Sequence, residues 1–309
     1  MSEQEARRFT FTVFTPTYNR RATLPRAFAS LSAQTLKDFE WLVVDDGSTD
    51  DTGALIASLA AEADFPVSYL RQENAGKHVA LNRAAIAARG RLFATLDSDD
   101  EYVPTALERF LWHWNAIPDP ERNRFAGVAG LCIDTDGNLI GTPFPADVID
   151  SDYLEIRTRH GVKGDKAGFA TTESVLEFPF PEVQGERYVT EALVYNRIAR
   201  RYRVRFVNEP IMVKEYRPEG ISKQVKATLA RSPVSTRLYH AEAIEHGYAS
   251  TALQRLKHYA NHVRFSLHSG LPTRAVGGSR LWSAAAFPVG LALYVRDRIA
   301  LRGEPAIRS

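Results

Sequence analysis

The apolar positions of the first hundred residues follow two alternating periods. Phe9-Thr10-Phe11-Thr12-Val13-Phe14 is β-rich and stops at Pro16, and a helical spacing begins near Thr23, a candidate N-cap, and runs through Leu24, Phe28 and Leu31. The run from Phe39 to Val44 reads as a short apolar strand, after which Asp50 or Asp51 caps a helix carrying Leu55, Ile56 and Leu59. Val67 to Leu70 is a third strand, Val79 to Ala88 a third helix closed by Gly90, and Arg91 to Leu96 a fourth strand. Strands that are apolar on both faces, alternating with helices of about ten residues, predict βα units and a parallel sheet covered on both sides.

Beyond Leu96 the pattern loosens. Pro104 opens a helix with Leu107, Phe110, Leu111 and Trp114, and Phe125 to Ile133 reads as another buried strand. Asp134 to Asn138 is a turn, with Leu139-Ile140 beginning the return strand of a hairpin. The Gly/Pro-rich stretch from Gly141 to Gly168 reads as loops. A helix is expected from about Val189 to Arg201, strands near Arg205–Val207 and Ile211–Val213, and a mainly helical chain from Lys226 onward.

Composition narrows the class. Of 309 residues, 44% are hydrophobic and 25% charged, which suits an ordinary globular protein. Cys132 is the single cysteine, so no intrachain disulfide or cysteine zinc site is available, and a reducing, cytoplasmic compartment is expected. The charged stretch Met1 to Arg8 has no apolar run of the signal-peptide kind. The net charge of +2 hides an asymmetry: from Ile221 there are 13 Lys/Arg against 4 Asp/Glu, leaving an acidic body with a basic tail that suits an anionic partner. Within that tail Trp282 to Val295 is almost wholly apolar and flanked by Arg280, Arg296, Arg298 and Arg302. It is shorter than the roughly 20 residues that span a bilayer. It suits a segment lying in a membrane interface, a helix packed on the body, or an oligomer contact.

In an open parallel sheet, ligands bind beyond the carboxyl ends of the strands. Here the first strand ends in Thr15-Pro16-Thr17-Tyr18-Asn19, the second in Asp45-Asp46-Gly47-Ser48 and the fourth in Asp97-Ser98-Asp99-Asp100. Asp97, Asp99, Asp100 and Glu101 repel one another at a buried edge unless a cation neutralises them. Mg²⁺ or Mn²⁺ held by one or two carboxylates takes its remaining oxygens from a substrate diphosphate. A solvated acidic loop before the Pro104 helix is the competing explanation. Asp45-Asp46 after a buried strand suits a base or ribose hydrogen bond and Tyr18 suits base stacking, whereas Gly47 and Ser48 are explained by a tight turn and a helix cap. Val44 occupies the nucleophile position that a haloacid-dehalogenase-type phosphatase would need as Asp, which excludes that class. Neither a Gly-x-Gly-x-x-Gly nor a Gly-Lys-Ser/Thr loop follows the first strand.

The runs Phe14-Thr15-Pro16-Thr17-Tyr18-Asn19-Arg20, Val43-Val44-Asp45-Asp46-Gly47-Ser48-Thr49-Asp50, Asn74-Ala75-Gly76-Lys77 and Leu96-Asp97-Ser98-Asp99-Asp100 resemble, in order and spacing, the family-2 inverting glycosyltransferases of GT-A fold. The resemblance covers roughly residues 9–220. It implies an α/β fold of GT-A type, with a mostly parallel central sheet flanked by helices and a Rossmann-like nucleotide-binding half. A basic, mainly helical C-terminal extension would follow it. The catalytic domain would be 1–222, its nucleotide-sugar part about 9–103 and its acceptor part about 104–222, followed by a C-terminal region at 223–309. Pro16, Thr17 and Tyr18 would line the base pocket and Asp45 and Asp46 hold base or ribose. Lys77 would lie near the nucleotide, Asp97 and Ser98 would face the donor, and Asp99 and Asp100 would hold Mn²⁺ or Mg²⁺. The family's base stands in a Glu-Asp-x-x-Leu-x-x-Arg segment. This chain reads Val189-Thr190-Glu191-Ala192-Leu193, with Thr190 in place of the first acid, Glu191 at the base position and Glu186 as competitor. Lys214 and Arg217 are further candidates for the diphosphate.

The resemblance further implies a nucleoside-diphosphate sugar donor, a UDP-sugar foremost, and a saccharide or lipid-linked acceptor. It implies no nucleic acid, and cytoplasmic work at the inner face of the membrane with peripheral contact through the C-terminal region. Two other classes compete. A nucleotidyltransferase needs a Gly-rich basic loop after the first strand, and Thr15-Pro16-Thr17-Tyr18 is not one. A non-catalytic nucleotide-sugar-binding module would have no use for the intact acidic turn.

Overall fold

The structure, a computed structural model, describes residues 8–215, 227–274 and 277–301. They fall into two compact units, 8–180 with 194–215 and 181–193 with the described residues from 227 on. The domain boundary expected at 222/223, Arg217 and Arg302 lie outside the described residues.

The first unit is built on one sheet. Its first half runs β1 (Phe9–Thr17), α1 (Leu24–Ser32), β2 (Phe39–Asp45), α2 (Thr52–Glu62), β3 (Val67–Arg71), α3 (Lys77–Ala87) and β4 (Gly90–Thr95). Its second half runs β5 (Glu101–Tyr102), α4 (Ala106–Asn115), α5 (Asp119–Arg122), β6 (Phe125–Ile133), β7 (Val148–Ser151), α6 (Glu155–Thr158), β8 (Lys166–Thr171), α7 (Thr172–Glu177), then α8 (Glu191–Ala199), of which the part from Val194 belongs to this unit, and β9 (Arg203–Val213). The strand order is β3-β2-β1-β4-β8-β6-β9-β5, with β7 paired to β9. β3, β2, β1 and β4 are mutually parallel, which is the βα half predicted from the apolar periods. β8 runs antiparallel to both β4 and β6, and β5 and β7 antiparallel to β9, so the sheet as a whole is mixed.

Side chains of successive strand residues point to opposite faces, and the two faces carry separate cores. Phe11, Val13 and Trp41 pack with Phe110 of α4 and Phe169 of β8 on one face. Phe14, Leu42, Val44 and Phe93 pack with Ala80 and Ala84 of α3 on the other. β2 is buried along its whole length, and the Glu40 carboxylate near its start accepts from Thr12 Oγ1 at 2.6 Å and from Arg89 Nε at 2.7 Å.

Three readings of the acceptor half need correction. The stretch from Gly141 to Gly168 contains β7 and α6 and runs into β8, because β8 is paired on both edges and needs no apolar period to be held. The two short strands near 205 and 211 are one strand, β9, whose register against β6 shifts near Pro210, a residue with no N–H to donate. Leu139 makes only an isolated bridge to Ile133, so the hairpin does not extend.

The second unit contains α9 (Pro233–Glu245), α10 (Ala252–Ser269) and α11 (Arg280–Leu301). α10 starts with a capping box, Thr251 with Gln254, and ends at Gly270 with φ 68°, the left-handed geometry that a glycine supplies cheaply. Tyr259 and Ala260 of α10 pack on Ala286 of α11. The predicted apolar segment 282–295 lies inside α11. No helix among the described residues is long and apolar enough to cross a membrane.

Candidate functional site

The carboxyl ends of β1, β2 and β4 are neighbours. Thr17 pairs with Asp45, the Asp46 amide donates to the Thr17 carbonyl at 2.8 Å, and the Leu96 amide donates to that of Phe14 at 2.9 Å. Asn19, with φ 53°, turns the chain after β1; its amide donates to Ser48 Oγ and its Oδ1 accepts from the Thr49 amide, both at 2.8 Å. That clasp leaves Tyr18 at the tip with its ring 39% exposed, open to a stacking partner. Pro16 is half-buried beside it. Thr17 is buried, and its Oγ1 has no hydrogen-bond partner among the described residues. An unpaired buried hydroxyl costs about 1–3 kcal/mol, so a ligand that bonds it recovers that energy.

Asp45 and Asp46 are both buried and both bonded within the protein. Asp45 Oδ1 accepts from the Ser48 amide at 2.8 Å and Oδ2 from the Tyr69 hydroxyl at 2.6 Å. Burial, and then that bond to Asp45, push the Tyr69 phenol up to about 12. Asp46 Oδ1 accepts from Gln72 Nε2 at 2.6 Å and the Ala75 amide at 2.8 Å, and Oδ2 from the Gly76 amide at 2.8 Å. Asp46 thus anchors the loop that ends at Gly76, whose φ of 100° sets the start of α3. Lys77, the first residue of that helix, reaches Asp97 at 2.7 Å.

The acidic turn follows β4. Two lysines from different elements meet it: Lys77 on Asp97, and Lys214, just past β9, on Asp100 at 2.8 Å with Asp165 at 3.8 Å. Glu101 is bonded to Arg26 Nε at 2.9 Å. Ser98 is buried between these carboxylates. Burial works to raise the Asp97 carboxyl, but the charges of Lys77, Lys214 and Arg20 outweigh it and hold it below the usual carboxylate range. Asp100 shows the opposite balance: burial, with Asp97 and Asp99 beside it, pushes it up to about 7 despite Lys214. Burial works to lower the Lys214 ammonium, and the surrounding carboxylates more than reverse that. Among the described residues Asp99 is the one carboxylate of the turn without an ion pair.

Those donors suit a hard divalent cation. They are all oxygens, Asp97 and Asp99 crowd Asp100, and Asp99 has no ion pair among the described residues. No group of three or more His, Cys, Asp or Glu side chains converges on one point among the described residues. A cation here would be held by one or two carboxylates, with the rest of its oxygens coming from a bound phosphate.

Glu191 opens α8 as an exposed first-turn acid and groups with the second unit. Glu186 is buried, and both of its oxygens are engaged at the N-terminus of α9, by the Val234 amide at 2.6 Å, the Ser235 amide at 2.8 Å and Ser235 Oγ at 2.5 Å. Sequence reasoning missed Tyr69, Gln72, Asp165 and Arg26. Their partners lie many residues away, and no local spacing marks them.

Residues 12–119 match the family described as Glycosyl transferase family 2. The GalNAc(5)-diNAcBac-PP-undecaprenol beta-1,3-glucosyltransferase of Campylobacter jejuni is 33% identical over 129 residues, 41% of this chain and 40% of that protein. The chain spans less than half the length of the curated relatives it matches most strongly. Two solved structures share the fold. S. aureus TarS 1-349 in complex with UDP-GlcNAc superposes with TM-score 0.59 at 18% identity, over 96% of this chain and 93% of that one. The mannosyltransferase PcManGT from Pyrobaculum calidifontis, in complex with GDP-Man and Mn²⁺, does so with TM-score 0.56 at 21% identity, over 95% and 83%.

Proposed function

Starting from a family-2 glycosyltransferase domain at residues 12–119 on a GT-A fold, we propose that this chain transfers a sugar from a nucleoside-diphosphate sugar to an acceptor hydroxyl, with inversion. The observation that carries the reading is the acidic turn: two lysine-bridged carboxylates flank Asp99, which has no ion pair among the described residues, at the mouth of neighbouring strand ends.

Tyr18 stacks on the base, Pro16 and Thr17 line its pocket, and Thr17 Oγ1 supplies a hydrogen bond. Asp45 and Asp46 hold the walls of that pocket and offer their remaining lone pairs to base or ribose. Lys77 and Lys214 face the diphosphate, with Asp97 and Ser98 orienting the donor. Asp99 and Asp100 would hold Mn²⁺ or Mg²⁺, which when bound offsets charge on the departing nucleoside diphosphate. Glu191 takes the proton of the acceptor hydroxyl as it attacks the anomeric carbon. The engagement of both Glu186 oxygens at the start of α9 supports Glu191 over Glu186 in that role. No covalent nucleophile is needed in a single displacement.

A UDP-sugar donor is supported by the TarS complex, while the GDP-Man complex of PcManGT keeps guanine in view. The C. jejuni relative, named for an undecaprenol-linked acceptor, supports a lipid-linked or polysaccharide acceptor at the inner face of the membrane. The catalytic domain is 1–222 and the basic region 223–309 its membrane-facing appendage.

The test is a screen of nucleotide-sugars for release of nucleoside diphosphate with Mn²⁺ or Mg²⁺. Asp99→Ala is expected to abolish donor turnover, and Glu191→Gln to lose transfer while still binding nucleotide. Turnover or binding of no donor at all sinks the activity, and near wild-type transfer by Glu191→Gln places the base elsewhere.

A further inference from the structure

Helix α11 is built inside out. Its inward line is made of small residues: Ala286 is fully buried, and a side chain at Gly290 would meet the Ala260 carbonyl oxygen of α10 at 2.5 Å and Val263 at 2.6 Å. Of the helix's large apolar side chains, Trp282 and Leu293 pack partly against the α10 cluster, Trp282 stacking on Tyr259. Six others are exposed: Leu281 is 83% exposed and Ile299 67%, with Phe287, Val289, Leu291 and Val295 each about two-fifths exposed or more. Between Arg280 and Arg296 the helix carries no charged residue. An amphipathic helix on a protein surface ordinarily turns its polar side to water, so this face is made to meet something apolar.

The charges say what it meets. Arg280 stands at one end of the apolar stretch and Arg296 and Arg298 at the other, all exposed. The helix's only acid, Asp297, is buried in an ion pair with Arg264, with contacts to His268 at 3.2 Å and to Arg296 at 3.7 Å, so it offsets part of the Arg296 charge and does not reach Arg280 at the other end. Arg274 and Arg280 also line, with Ser283 and Phe287, an open groove of ≈ 310 Å³ where two guanidiniums sit beside apolar surface. A second copy of this helix would fit poorly. Antiparallel pairing sets Arg280 against Arg296 and Arg298, and parallel pairing sets like against like, with no exposed acid to compensate. The length is also telling: residues 281–295 span about 22 Å at the helical rise, short of the roughly 30 Å hydrocarbon core.

We propose that the outward face of α11 is a docking surface for an anionic phospholipid bilayer, lying in the plane of the interface. Leu281, Phe287, Leu291, Val295 and Ile299, which share one side of the helix at 100° per residue, enter the acyl boundary, the flanking arginines meet headgroup phosphates, and the Arg274–Arg280 groove seats one of them. The proposal deepens the membrane placement given under the proposed function and uses none of its sugar chemistry, so vesicle binding and donor turnover fail separately.

The experiment uses the full chain and vesicles of phosphatidylcholine, alone or with added phosphatidylglycerol, read by co-sedimentation. Binding is expected to the anionic vesicles, to weaken with salt, and to be much lower on the neutral ones. Phe287→Ser with Leu291→Ser, both exposed, should leave the melting temperature unchanged and cut partitioning about tenfold or more. Arg280→Gln with Arg296→Gln should lower it about fivefold per arginine. The proposal is overturned if the wild-type chain ignores anionic vesicles, or if the Phe287/Leu291 variant binds them as well as wild type. It is also overturned if light scattering shows a dimer that this variant converts to monomer, for then a second copy covers the face.

Discussion

Asp46 shows how far a single carboxylate can be read. A buried strand followed by two acids suggests a ligand-facing edge; Asp46 does stand at the carboxyl end of β2, but its oxygens accept three hydrogen bonds from Gln72, Ala75 and Gly76. Those donors lie 26 to 30 positions away, beyond any local pattern. Asp46→Asn keeps the shape and turns an acceptor into an N–H₂ facing a backbone amide, at a cost of about 2–4 kcal/mol. Faster hydrogen exchange at the amides of Ala75 and Gly76 is expected, together with a higher KM for the donor as Lys77 loses its anchor. Unchanged exchange would show that the loop holds itself. Asp99, by contrast, stands out from spacing alone as an acid crowded by like charges, and among the described residues it has no ion pair. The lysines that meet its neighbours were less legible: Lys77 belongs to a recognisable run, whereas Lys214 arrives from a strand more than a hundred residues on.

At the level of elements, β1 to β4 and their helices were legible because each is apolar on a regular period and bounded by Gly, Pro or Asp. β7 and β8 were not, since their residues are held by pairing rather than by an apolar stripe. β8 reads Lys-Ala-Gly-Phe-Ala-Thr, and only Ala167 and Phe169 are buried. β8 lies antiparallel between β4 and β6 and joins the parallel half of the sheet to the rest, so its fit to β6 decides whether the two halves cohere. Gly127 of β6 is the tightest point of that fit: a Cβ there would stand 1.9 Å from the Phe169 carbonyl oxygen and 2.8 Å from its carbon. Both are backbone atoms, which cannot swing away as a side chain would. Gly127→Ala is expected to destabilise the first unit by about 3 kcal/mol, seen as a lower midpoint in urea with an unchanged slope. A neutral outcome would mean the β6–β8 register can slide.

For the molecule as a whole, acid should act on the two units unequally. The helical unit buries His262 and half-buries His240 and His258. Burial, reinforced by His258, His262 and Arg264, holds His240 well below its ordinary value, and burial likewise lowers His258. Burial, and then Arg237, bring His262 down to about 4. His240 and His258 face each other Nδ1 to Nδ1 at 3.1 Å, so one must donate and the other accept; protonating both leaves two donors in contact. These rings titrate below their unfolded value of about 6.5. The unfolded chain therefore takes up protons first as pH falls, and the stability they contribute is complete above about 6.5 and drains away toward 4. His262 alone accounts for about 3 kcal/mol over that window. In the first unit, Glu209 is held at about 2, by its hydrogen bonds to Arg109 and then His113 against the pull of burial. Its contribution is intact above its unfolded value and lost only as pH falls through 2. Calorimetry between pH 7.5 and 5 should therefore show the helical unit's transition moving to lower temperature while the first unit's does not fall, because Glu209 keeps its contribution there and Asp100, raised to about 7, takes up its proton in the folded state first. Replacing His240 and His262 by Gln should flatten that movement. If both transitions fall together and the substitutions change nothing, the histidines are not what makes the helical unit acid-sensitive.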